Sequence, residues 1–387
     1  MNNISLAAYL SWQEIWRNRG RFFLVSLVIA LITLLVLFIA ALGEGLGNAN
    51  RQYISRLDAQ MVVFLEKSDF IIPGSRVERS TVRALRRVEG VADAGGVATS
   101  STAILLPDGE VLKVSLLGIE PGRPGDPVVT QGRAILGEDA REAVVDLNVL
   151  QRSDVKVGDT ITVRSTQGTR DEFFTLKVVG ASDGQLYTFQ PSIFVPYGTW
   201  DRVRTKSDAE LDRPSTTVNV AVVRLEPGAD FESVSAAIQS RVDNVEVADI
   251  QTTIENVPGY SAQQGTVQTQ AVFTLLIGVL VIGGFFQIQI LQKVPQIGVL
   301  KAIGSSNAMV GLAAVMQIII TTTLGVALGS SLAFLFSLGF PPTVPIVFNG
   351  VNSAIAIAAL LLIGPAGGLV STFYAVKIEP LKALRLS

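Results

Sequence analysis

The chain has 387 residues, 49% of them hydrophobic and only 17% charged, with a mean hydropathy of +0.45 and a net charge of −2. Soluble domains carry about a quarter charged residues, so the deficit points to a membrane protein, and the near-neutral balance offers no basic surface for nucleic acid. There is no Cys and no His, which excludes disulfides, thiolate nucleophiles and Cys-ligated zinc and removes the commonest general base and metal ligand.

Residues 1–21 open with Tyr9, Trp12, Ile15 and Trp16 at helical spacing, followed by Arg17, Arg19 and Arg21. That is the aromatic-plus-arginine pattern of a helix lying in the membrane interface. A charged start before an apolar run also fits a cleaved signal peptide, but this run outlasts an h-region and a long aromatic segment precedes it. Residues 22–43 are uncharged and meet the length of about 20 apolar residues that a crossing requires. Span one is placed there.

From 44 to 270 the charge returns and the pattern turns to short β-rich runs, so this stretch is predicted to be an inserted, water-exposed α+β domain. Strands are expected at Gln60–Leu65, Ala98–Leu106, Val111–Ile119, Thr216–Leu225 and Val245–Ile250, and helices at Glu78–Val88 and Asp230–Val242, the latter capped by Asp230. Pro107-Asp108-Gly109 reads as a hairpin turn. Arg87-Val88-Glu89-Gly90-Val91 and Arg241-Val242-Asp243-Asn244-Val245 look like the same helix–turn–strand junction used twice, which suggests two related halves. Residues 121–212 are nearly all strand and turn, as at Ala143–Val145, Thr160–Val163 and Phe173–Val179, and are predicted to be a β-rich subdomain inserted in the α/β one.

The remaining chain is again apolar. No Asp, Glu, Lys or Arg occurs between Glu255 and Lys293, or between Lys301 and Lys377. Span two is placed at 271–291, span three at 308–338 and span four at 351–375, with Phe340-Pro341-Pro342, Pro345 and Asn349-Gly350 breaking the last two apart. The basic clusters at Arg17–Arg21, at Lys293 and Lys301, and at Lys377, Lys382 and Arg385 all fall on one side. Positive residues stay inside, so both termini and the 292–307 loop are expected to be cytoplasmic and the domain external, in a multi-pass protein of the bacterial plasma membrane.

No Walker-A sequence occurs, so the chain is not itself a P-loop ATPase, and without His no Ser/His/Asp triad can form. The pairs Glu138/Asp139 and Asp171/Glu172 read as solvated surface. No catalytic, metal or cofactor residues are assigned. Glu44, at the end of span one, is the ionisable residue nearest a span; an interfacial position explains it, and contact with a transported substrate is the functional alternative. The informative segment is Pro295-Gln296-Ile297-Gly298-Val299-Leu300-Lys301-Ala302-Ile303-Gly304. Pro295 suits the first turn of a short helix and Gly304 its end, with Ile297, Leu300 and Ile303 as an apolar face. Such a face is either a docking knob for another protein or a loop dipping into the interface.

The run from Lys293 to Ser306, K-V-P-Q-I-G-V-L-K-A-I-G-S-S, resembles the segment that marks permease subunits of ABC transporters of the MacB/FtsX type. Gln131-Gly132-Arg133, Ala143-Val144-Val145-Asp146, Lys156–Thr160, Val178-Val179-Gly180 and the tail Lys377–Arg385 are similar to other parts of that family. Within it the chain looks nearest to the DevC-like and HrtB-like exporters. One departure is Gln296, where many members carry Glu, which puts an ion pair to the ATPase in doubt. The resemblance implies a permease homodimer, a separate ATPase bound at residues 295–304, and export or external mechanical work driven by ATP. A membrane-fusion protein is a further implied partner. The alternatives it implies are an FtsX-like scaffold that controls an external hydrolase, and a haem exporter with Glu44 as the candidate contact.

Overall fold

The computed structural model describes residues 3–106, 109–211, 213–340 and 344–377. In chain order the elements are α1 (Asn3–Arg17), α2 (Arg19–Ser55), β1 (Met61–Leu65), β2 (Val77–Glu78), α3 (Arg79–Leu85), β3 (Val91–Leu105), β4 (Val111–Ile119), β5 (Val129–Gly132) and β6 (Glu142–Asp146). Then come α4 (Leu147–Arg152), β7 (Thr160–Gln167), β8 (Arg170–Ser182), β9 (Ser192–Pro196), α5 (Tyr197–Val203), β10 (Thr217–Val218) and β11 (Val220–Leu225). The chain closes with α6 (Phe231–Arg241), β12 (Val245–Asp249), α7 (Ile250–Glu255), α8 (Tyr260–Ala302), α9 (Asn307–Ser337) and α10 (Gly350–Lys377). Two compact units result: a helical unit of residues 1–45 and 264–387, and an inserted unit of residues 46–263. The expected hairpin residues Pro107 and Asp108, and the tail from 378 onward, lie outside the described residues.

Four helices of the helical unit are long and apolar enough to cross a membrane, within Arg19–Ser55, Tyr260–Gln292, Asn307–Ser337 and Gly350–Gly368. Their common core is Val25, Ile29, Val36, Ile282, Phe286, Ile318, Val326 and Leu360. Outside it, Leu276, Ile277 and Leu280 of α8 point outward, Leu280 with 66% of its surface open. In water that exposure would be costly; against hydrocarbon it costs nothing. Small residues let the backbones approach. Gly325 and Gly329 sit one turn apart on α9, where an added Cβ would lie 2.6 Å from Ile29 Cβ and 2.5 Å from the Ala30 carbonyl oxygen of α2. This is the small-xxx-small contact of membrane helices.

The inserted unit is built on a ten-stranded sheet in the order β12-β1-β11-β3-β4-β9-β6-β8-β5, with β7 pairing both β3 and β8. The central strands β1, β6, β9 and β11 are buried on both faces, which is why they read as apolar runs, whereas β7 alternates between buried and exposed residues. On β1, Met61 and Val63 enter one core with Val82, Leu85, Val234 and Ile238 of the helices, whereas Val62 and Phe64 enter the other with Tyr53, Phe194 and Ile254. The β-rich insertion is not a self-standing module. The 15-residue β3 pairs β11 through Val91–Val97 and both β4 and β7 further along. The pairings β3–β4, β4–β9, β9–β6, β6–β8, β8–β7 and β7–β3 thus close a ring, and β3 alone also pairs the open sheet, through β11. Ile104, Leu116, Val145, Val163, Leu176 and Ile193 fill the core on one face of these strands.

Two short helices, α4 and α5, also interrupt the stretch expected to be nearly all strand and turn. Asp146 caps α4 by accepting a hydrogen bond from the Asn148 amide at 3.1 Å. Burial pushes the Asp146 carboxyl up, and the hydrogen bonds from Asn148 oppose that shift. The duplicated junction is visible in the backbone: Gly90 and Asn244 each take the left-handed conformation, at φ +86° and +59°, between a helix and a strand. Only Gly fits the first, because a Cβ there would meet Val234 of α6 at 2.6 Å. Buried Asn219 ties the sheet to the turn before β2, accepting from the Thr99 amide at 2.7 Å and donating to the Ile72 carbonyl at 3.0 Å.

Candidate functional site

The segment Pro295–Gly304 is the end of α8, not a separate helix. Pro295 lies inside the helix rather than in a first turn, and α8 continues unbroken to Ala302. The helix stops where expected: Gly304 has φ +102°, and its amide donates to the Lys301 carbonyl at 3.0 Å. After a short turn, Ser306 caps α9 by accepting from the Met309 amide at 3.2 Å.

The exposed face also differs from the expected one. Ile297 is buried, packed with Ile290 and half-buried Val310, whereas Ile303 is 76% and Val299 49% exposed. The reason is geometric. At about 100° per residue, Ile297 and Ile303 stand about 240° apart, while Val299 and Ile303 at i and i+4 share a face and Ile290 and Ile297 at i and i+7 share the opposite one. Gln296 and Ala302 are exposed, Gly298 is buried and Lys301 is half-buried. Among the described side chains the open apolar pair at the charged end of the helical unit is therefore Val299 and Ile303; the side chain of Leu300, the third residue of the expected face, lies outside the described ones.

Behind this end lies a polar cluster that no local pattern announces. The Lys293 ammonium pairs with Glu14 of α1 and donates to Gln317 Oε1 of α9 at 2.9 Å. It also lies 5.8 Å from the Phe22 ring centre. Ser11 adds a second tie, donating to the Ala313 carbonyl at 3.0 Å. Three helices thus meet at a partly buried ion pair two residues before Pro295. At the other end of the helical unit, half-buried Glu44 accepts from the Asn352 side-chain amide of α10 at 3.0 Å.

The paired carboxylates of the inserted unit stay on its surface: Asp139 meets Arg202 at 3.2 Å in an open ion pair, and Asp171 accepts from Thr166 at 2.9 Å. Among the described residues no group of three or more Asp or Glu is arranged to hold a metal.

Four helices apolar enough to cross a membrane, with a large ordered unit inserted after the first, define a multi-span membrane protein. Comparison with known proteins is specific. Residues 22–241 match the model of the MacB-like periplasmic core domain, and residues 270–380 match the FtsX-like permease C-terminal model. The chain is 24% identical over 379 residues to a protein of Staphylococcus haemolyticus named as a candidate hemin transport system permease protein, HrtB, covering 97% of this chain and 98% of that one. A Bacillus subtilis ABC transporter permease of uncharacterised role, YclI, is 26% identical over 223 residues, 53% of this chain and 44% of that one. The solved periplasmic region of MacB from Actinobacillus actinomycetemcomitans aligns with a TM-score of 0.37 at 14% identity, over 52% of this chain and 94% of that one. The chain belongs to the MacB/FtsX-type permeases, the membrane subunits of ABC transporters. Membership implies a partner ATPase.

Proposed function

We propose that this permease works as a homodimer in the bacterial plasma membrane and converts ATP hydrolysis by a separate ATPase into export or mechanical work outside the cell. Both termini and the α8–α9 turn face the cytoplasm in this reading, and residues 46–263 face outward. The observation that carries it is the Val299–Ile303 pair: apolar, open, at the end of a long helix and beside the basic residue Lys301. An exposed i, i+4 apolar pair is what a partner's groove takes up. ATPase movement would be passed to α8, and α2 and α8 carry the chain between the two units. A membrane-fusion protein on the outer side is a further partner of this reading.

Haem is the cargo to test first, because a relative aligned over nearly its whole length carries hemin transport in its name. In a chain without His or Cys, an iron ligand has to come from carboxylate, Tyr or Met, and Glu44 is the placed carboxylate. The experiment is purification of the tagged permease from membranes in mild detergent, with ATP hydrolysis as the readout. A second chain bearing a P-loop should co-purify and hydrolyse ATP, hemin should raise the rate, and Glu44→Ala should abolish the hemin response alone. A permease that purifies alone and without hydrolysis would overturn the ATPase reading, and a hemin response intact in Glu44→Ala would remove that residue as contact.

A further inference from the structure

A cavity of about 620 Å³ opens between α1, α8 and α9, beside the segment 295–304. Its lining is of two kinds. Ile290, Ile297, Val310 and Ala313 make an apolar wall, while Glu14, Arg17, Lys293 and Gln296 make a polar one. Its depth in the helical unit follows from hydropathy. The apolar window of α8 ends at Gln292, one residue before Lys293, and α9 begins at Asn307, just before Val310. The cavity therefore sits at the level where hydrocarbon gives way to headgroups. On α1, Trp12 and Trp16 stack on each other at 6.4 Å and are both open, as residues anchored in that interface are.

The charges in the lining do not balance. Lys293 is neutralised by Glu14, and Arg17 is exposed with no ion pair among the described residues, so one positive charge is left over. A cation beside an apolar wall at the headgroup level suits an amphiphile whose head is anionic. We propose that the cavity binds the phosphate-bearing headgroup of an anionic membrane lipid, Arg17 meeting the phosphate and the apolar wall meeting the start of the acyl chains. Free inorganic phosphate shares the anionic chemistry but leaves the half-buried Val310 and Ala313 uncovered, which is why the lipid is the favoured occupant. A bound headgroup would brace α1 against α8 next to the Glu14–Lys293 pair and so set the stiffness of the α8 end.

The test uses the full-length permease in detergent, titrated with phosphatidylglycerol, phosphatidylcholine or inorganic phosphate, with the melting temperature and lipid retention in native mass spectrometry as readouts. Phosphatidylglycerol should bind at least about tenfold more tightly than phosphatidylcholine, and Arg17→Gln should lose about that factor, ~1.4 kcal/mol. Arg19→Gln removes the same charge from an exposed residue that does not line the cavity, and should leave binding within about twofold. Equal losses in the two variants would show diffuse attraction and overturn the site. Equal binding of phosphatidylcholine, or stabilisation by inorganic phosphate alone, would overturn the lipid.

Discussion

Replacing Ile303 with Asp is expected to strip the ATPase from the purified permease while leaving the permease folded and inserted. Ile303 is 76% exposed, so the substitution costs the isolated chain little; surface changes of this kind stay within about 0.5 kcal/mol. In the docked state the carboxylate would enter an apolar contact without a partner, at a cost of about 2–5 kcal/mol, which weakens the complex roughly thirtyfold to several thousandfold. Co-purification and coupled ATP hydrolysis should both fall to background. Ile297→Asp is the contrasting variant. Ile297 packs with Ile290 and Val310, so its replacement should lower the melting temperature of the permease itself. A permease carrying Asp at 303 that retains its ATPase at wild-type yield would remove the Val299–Ile303 face as the docking surface.

The largest loss of stability is expected from Gly325→Leu. The added Cβ alone would lie 2.6 Å from Ile29 Cβ and 2.9 Å from the Ser26 carbonyl oxygen, and the rest of the Leu side chain has only α2 to enter. Backbone cannot move aside as a flexible side chain can. Overpacking costs about 1–3 kcal/mol where neighbours yield, and here the helices must part, so about 3 kcal/mol or more is expected. Thermal unfolding in detergent reads this directly. Gly265→Leu is the control, because a Cβ there meets nothing within 4 Å and should change little. Equal melting temperatures for the two variants would show that α2 and α9 are not held by close contact.

The helices that cross were legible in the sequence because length and hydropathy depend on no partner. The uncharged runs at 22–43, 271–291 and 351–375 fall within α2, α8 and α10, and the run at 308–338 matches α9 to within one residue. What they did not reveal was how far each helix continues. α8 runs from Tyr260 to Ala302 although Gly265, Thr266, Val267, Pro295 and Gly298 all lower local helix propensity, and Pro295 both lacks a donor and crowds the Leu291 carbonyl, so local propensity does not set the ends of this helix. Pro295 suits a first turn only in a short helix; inside the continuous α8, Ile297 turns inward while Val299 and Ile303, at i and i+4, share the open face.

In the inserted unit, strand positions such as β4 and β6 follow from β-branched runs and flanking turns, and the register between β3 and β4 follows from their hairpin. The closing of the ring does not. The β3–β7 and β4–β9 pairs join residues far apart in the chain, and no local pattern encodes them. The Glu14–Lys293–Gln317 cluster was hidden for the same reason: its members lie on three helices and are ordinary residues taken singly. The repeat at Gly90 and Asn244 shows the opposite case, where a five-residue similarity reported a shared left-handed turn.

The most direct test of the account is the sidedness of the two units. The chain has no Cys, so single cysteines report without background. Thr169, in the exposed turn between β7 and β8, and exposed Asn307, at the start of α9, are suitable sites for Thr169→Cys and Asn307→Cys. In intact cells a membrane-impermeant maleimide should label the cysteine at 169 fully and the one at 307 only after the membrane is opened. Labelling of both from outside, or of 307 alone, would contradict a permease that takes up ATPase motion on one side of the membrane and delivers it on the other.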